Sequence, residues 1–183
     1  ARTTEQWVDE GSIRSEAEAA TARAGRPPRA RPAPELDHEV VAEIHAAASD
    51  QKRAARLAER LAAASGALDR ERFDDARRIV TPLLRDLPTV AAVHEVSGLA
   101  AYRSGRWLQA ADSLETARRL RPDVALLPVL ADSYRALKRW ADVESVWRDL
   151  RASSPSHEVM AEGRIVVAGA YADRGDLREA VKL

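Results

Sequence analysis

The chain has no cysteine and no asparagine, one methionine, one phenylalanine and only three lysines among its 183 residues. Without cysteine, neither a disulfide framework nor a thiolate metal site can be built. No apolar run approaches the roughly 20 residues that cross a bilayer. The opening stretch ARTTEQWVDEG is mixed and acidic, unlike a signal peptide. Net charge is missing too: 29 basic and 29 acidic residues cancel, so the global basic field of a general nucleic-acid binder is absent. A soluble, cytoplasmic protein is the expectation these absences leave.

Signatures of catalysis are equally scarce. The sequence holds no phosphate-binding Gly-Lys-Ser/Thr loop, no Gly-rich dinucleotide turn and no nucleophile elbow. His38, Glu39 and His45 suggest half of a zinc-protease helix, but the second histidine would have to stand at position 42, which is Ala42. His94 and His157 are isolated in sequence. No enzyme activity, metal or cofactor is therefore expected.

What is present is helix-forming: Ala, Leu, Arg and Glu dominate, and aromatics make up only 4%. The 26 arginines against three lysines, with abundant alanine, fit a high-GC bacterial source. Residues 91–122 read as two short amphipathic helices joined around Ser104, Gly105 and Arg106. Five marks in that unit are Gly98, Gly105, Trp107, Ala110 and Pro122. The same marks fall 33 residues later on Ala131, Lys138, Trp140, Val143 and Pro155, and 34 residues earlier on Ala64, Glu71, Phe73, Ala76 and Pro88. After a few extra residues they return as Ala168, Gly175, Leu177 and Ala180.

Each mark has a physical role. Gly98, Ala64, Ala131 and Ala168 sit where two helices approach closely. Gly105 and Gly175 suit the positive-φ residue that ends the first helix. Trp107, Trp140 and Phe73 open the second helix and anchor it on its neighbour, and Ala76, Ala110, Val143 and Ala180 are the small positions inside the hairpin. Tyr134 and Tyr171 fill the groove between helices, with Tyr102 one position off. Pro88, Pro122 and Pro155 end the second helix.

A period of about 34 with these marks resembles the tetratricopeptide-repeat (TPR) family. The resemblance covers residues 57–183, as units 57–90, 91–123, 124–157 and a partial 161–183. The whole layout is similar to that of uncharacterised actinobacterial TPR proteins. The family resemblance implies an all-α, right-handed α-solenoid of helix hairpins with N-terminal capping helices. It also implies a protein-binding adaptor or scaffold whose first helices line a concave groove. From the register, the groove-facing residues are Glu95, Leu99, Tyr102 and Arg103, then Asp132 and Arg135, then Val166 and Asp173. These suit a helix or extended peptide with an apolar anchor and a charged neighbour. Chaperone-binding members of the family hold terminal carboxylates with paired Asn side chains, a clamp this Asn-free chain cannot assemble.

Before the array, residues 1–24 read as a helix interrupted at Gly11 and Ser12, either a cap on the array or a recognition helix that inserts Trp7 into a partner. Residues 25–36 form an Arg/Pro-rich linker in which Pro enforces extended backbone. With Arg23, Arg26, Arg29 and Arg31 it is the one local basic segment, a solvated spacer or an arm for RNA phosphates or an acidic protein surface. This segment carries the alternative reading, a ribosome- or RNA-associated factor. Residues 37–56 are read as capping helices, with Asp37 and Asp50 as N-caps. The last unit stops at Leu183 about halfway along its second helix, so the array is expected to continue, and its open end could pair with another copy. Ala1 fits a residue exposed by Met removal.

Overall fold

A computed structural model describes residues 34–183. Among them every regular element is helical and no strand occurs. Helix α1 spans His38–Ala47, α2 Gln51–Asp69, α3 Phe73–Asp86, α4 Ala91–Arg103 and α5 Trp107–Leu120. A 3-10 turn, Val124–Leu126, leads into α6 at Leu127–Ala136, with Pro128 in the first turn, where its missing N–H costs nothing. Helices α7 (Trp140–Ala152), α8 (His157–Asp173) and the four-residue α9 (Leu177–Ala180) complete the chain. No helix of the described residues is long and apolar enough to cross a membrane.

The starts and stops follow local chemistry. The Asp37 carboxylate accepts the Glu39 N–H at 2.9 Å and opens α1, and Asp50 accepts the Arg53 N–H at 2.8 Å and opens α2. That hydrogen bond also holds the Asp50 carboxyl below its ordinary pKa. Phe73, Trp107, Trp140 and Leu177 are the first residues of α3, α5, α7 and α9. Pro88, Pro122 and Pro155 each fall two or three residues past the last residue of α3, α5 and α7, where no further helical N–H is needed. Ser156 caps α8, which starts earlier than residue 161 because the residues inserted after Pro155 extend the helix instead of forming a loop.

Between α2 and α3, α4 and α5, α6 and α7, and α8 and α9 the same turn is built four times. Its positive-φ residue is Glu71 (58°), Gly105 (68°), Lys138 (59°) or Gly175 (85°). In each turn the next N–H reaches back to the helix just ended: Arg72 to the Ala67 carbonyl at 2.8 Å, Arg106 to Ala101 at 2.9 Å, Arg139 to Tyr134 at 2.9 Å and Asp176 to Tyr171 at 2.8 Å. The positive-φ N–H itself bonds one residue further on, and together these satisfy the last carbonyls of the first helix in a Schellman arrangement.

The principal contacts join each helix to its neighbour in sequence. Direct contacts also join α2 to α4, α4 to α6 and α6 to α8, the first members of successive pairs. Within the α4–α5 pair the helices come close at Gly98, where a Cβ would lie 2.6 Å from Leu114 Cγ and 3.1 Å from the Leu114 backbone nitrogen. Ala64 and Ala131 take the corresponding buried places, whereas Ala168 is only half buried, because the short α9 covers less of α8.

Two large apolar clusters and a small one at Ala67, Ala76 and Ala100 fill the interior. The first gathers Val40 and Ile44 of α1 with Leu57, Leu61, Leu83 and Val93. The second, around Leu130, Tyr134, Val146, Trp147, Leu150 and Val167, carries the large aromatics. Burying each large aliphatic side chain contributes about 1.5–3 kcal/mol.

Candidate functional site

Helices α4, α6 and α8 meet along one surface, and a cleft of about 370 Å³ lies there. Its walls are Tyr102 from α4, Pro128, Val129, Asp132 and Arg135 from α6, and Glu162, Ile165 and Val166 from α8. Helical spacing explains the grouping, since residues three and four apart share a face. Residues 128, 132 and 135 follow this rule on α6, and residues 158, 162, 165, 169 and 173 follow it on α8.

One polar network crosses all three helices. The Tyr102 hydroxyl donates to Asp132 Oδ2 at 2.7 Å. Arg135 donates through Nη1 to Asp132 Oδ1 at 3.3 Å and through Nε to Asp173 Oδ2 at 2.7 Å. Arg135 lies flat against α8 because position 169 is glycine: a Cβ there would stand 2.6 Å from the guanidinium carbon.

The network fixes the charge states of Tyr102 and Arg135. Burial, reinforced by the hydrogen bond to Asp132, pushes the Tyr102 phenol up to about 12. The hydroxyl therefore stays protonated and acts as a donor near neutrality. Asp173 first, and Asp132 after it, raise the pKa of Arg135 against the effect of burial, so the guanidinium is a fixed cation. One positive charge thus stands between two carboxylates. Tyr134, on the other side of α6, shows the same behaviour: burial and its 3.0 Å bond to Glu115 push its phenol up to about 12.

The structure therefore brings Tyr102, Asp132, Arg135, Val166 and Asp173 together, and it sends three of the sequence-derived residues elsewhere. Arg103 faces the turn between α2 and α3, 4.9 Å over the Phe73 ring and 3.4 Å from Glu71, in a separate cleft of about 560 Å³. Glu95, two turns before Tyr102 on α4, accepts from Arg121 Nη2 at 3.1 Å. Arg121 also reaches Glu43 of α1 at 3.7 Å. Burial alone would lower the Arg121 pKa, but Glu95 and Glu43 together raise it. Leu99 packs partly buried against the second apolar cluster. Trp7, Arg23, Arg26, Arg29 and Arg31 lie outside the described residues.

Sequence reasoning missed Pro128, Val129, Glu162, Ile165 and Gly169. The signal for the last three was the three-and-four spacing on α8 back from Asp173. A third cleft, about 650 Å³ and mostly apolar, lies between α1 and α2 beside Leu36, Val41, Ala58 and Ala62. It is larger, but no polar network converges on it. No protein family, curated protein or solved structure matches this chain.

Proposed function

We propose that the chain is a TPR-type helical array that acts as a non-catalytic adaptor, binding a segment of another protein on the concave surface formed by its first helices. Three features support the array: the turn repeated at residues 71, 105, 138 and 175, the bulky residue opening each second helix, and the direct contacts between first helices. The observation that carries the binding reading is the cleft at Tyr102, Asp132 and Val166, an open apolar hollow edged by fixed donors and acceptors from three successive first helices. Such a mix of apolar floor and convergent polar groups suits a peptide that brings both an anchor and hydrogen-bonding partners.

Affinity capture with the intact chain, compared with Tyr102→Ala and Arg135→Glu, tests this. A partner protein held by the intact chain and by Arg103→Glu, but released by the first two substitutions, is the expected result. Retention by all variants, or release by Arg103→Glu alone, removes the assignment of this cleft.

A further inference from the structure

The charge around the cleft points to the chemistry of its occupant. The floor is apolar, built from Pro128, Val129, Ile165 and Val166, and Ile165 is 70% exposed, unusual for a residue of its size. The rim is acidic. Arg135 is the one cation among the lining residues, and both Asp132 and Asp173 engage it, which leaves one negative charge in excess. Glu162 adds a second and makes no ion pair among the described residues. The exposed face of α8 continues the pattern one turn earlier with Glu158, which shares a stripe with Glu162 and Ile165, while Arg135 covers Gly169 and pairs with Asp173 at the far end of that stripe.

A lone surface glutamate is ordinarily just a solvated charge. Here the uncompensated carboxylate borders a hollow that an anchor would fill, and filling it strips water from Glu162. An acidic segment would then meet repulsion, and a neutral one would leave a charge partly desolvated without a partner. A segment carrying Lys or Arg about one helical turn from its anchor meets neither cost. Its aliphatic stem covers Ile165 while its charged head reaches Glu162 or Glu158 at the rim.

We propose that the cleft at Tyr102, Asp132, Glu162 and Ile165 binds a short protein segment in which an apolar side chain is flanked by Lys or Arg. This rests on the groove reading above and adds to it the sign of the partner's charge.

The test uses an array of capped synthetic peptides of about a dozen residues, balanced in apolar, acidic and basic content, probed with the full chain. Peptides bound by the intact chain and lost with Tyr102→Ala should be enriched in Lys or Arg within four positions of a Leu, Ile, Val or Phe. For the tightest of these, Glu162→Lys should weaken binding about tenfold and Glu162→Gln by less, and rising salt should weaken it further. Asp74→Lys makes the same change in net charge at a side chain that is 89% exposed and lies on α3, and it should leave affinity within about twofold. Equal weakening by Glu162→Lys and Asp74→Lys overturns the proposal, because only the overall field would then be at work. Bound peptides that are neutral or acidic, yet are released by Tyr102→Ala, overturn the charge assignment and leave the groove reading standing. An array on which nothing binds removes the groove reading itself.

Discussion

Tyr102 and Arg103 are neighbours in sequence, yet they serve two different clefts. One residue is a rotation of about 100° on a helix, enough to turn Arg103 away from α6 toward the loop at Glu71. At that loop the pair Arg103 makes with Glu71 is long and wet, at 3.4 Å with side chains 52% and 75% exposed. The short pairs there, Arg72 and Arg78 with Asp75, stay within α3 and the residue that precedes it. Around Tyr102 the hydrogen bonds are mostly short, and they pass from α4 to α6 to α8. The turn-edge cleft is a local product of adjacent hairpins. The Tyr102 cleft exists only if three helices hold their spacing.

The sharpest way to break the comparison is to attack the helix that carries the Tyr102 cleft. Leu130 of α6 is 1% exposed, and Leu130→Ala should cost about 2–5 kcal/mol in chemical denaturation. The turn-edge cleft should lose its structure only with the whole chain. Asp132→Ala comes next, since it strips the Tyr102 hydroxyl and Arg135 of a shared acceptor that is 24% exposed. A loss of about 1–2 kcal/mol is expected in the same measurement. Arg103→Ala, which removes an exposed pair and a stacked guanidinium, should cost less than about 1 kcal/mol. A larger loss for Arg103 than for Asp132 would reverse the ranking of the two clefts. Lys138→Gly should move stability the other way, by about 0.5–1 kcal/mol, because a side chain at φ 59° is strained where glycine is not.

Alkaline pH sharpens the contrast further. The folded Tyr102 phenol titrates near 12 against an ordinary 10. The proton-bound state is therefore favoured by folding: its contribution is complete below pH 10 and is lost as pH rises toward 12. Tyr134 behaves the same way. Tyr102→Phe should flatten part of the alkaline fall in melting temperature, whereas Arg103→Ala should steepen it slightly, because the Arg103 charge draws the Tyr102 pKa down.

Much of this architecture could be read from the sequence because its determinants are local. Gly105 and Gly175 advertised a positive φ, and the structure adds Glu71 and Lys138, which stand at the same place in the period and take the same conformation despite their side chains. Asp37, Asp50 and the prolines after α3, α5 and α7 marked the helix ends by hydrogen-bonding rules that need no tertiary information. The site was legible only where the register was secure. Asp132, Arg135 and Asp173 were found because they stand one helical face apart on packed helices. Arg103 was grouped with Tyr102 because a pattern of sides cannot resolve a single step of rotation. Glu95 shares the face of Tyr102 but stands seven residues away, about 10 Å along the axis, and Arg121 takes it. Glu162 and Ile165 escaped notice because an exposed glutamate and an exposed isoleucine mean little until the hollow between them is seen.

Arg121 has a kinetic consequence. The main contacts of this chain join helices that are close in sequence, a topology that favours rapid folding from nearby pieces. The Arg121–Glu43 pair instead ties α1 to the residue that follows α5. A tie of that span is expected to form after the pieces it joins. Arg121→Ala should then leave the refolding rate in stopped-flow mixing nearly unchanged and raise the unfolding rate by a modest factor, and slower refolding would place the pair in the folding barrier instead.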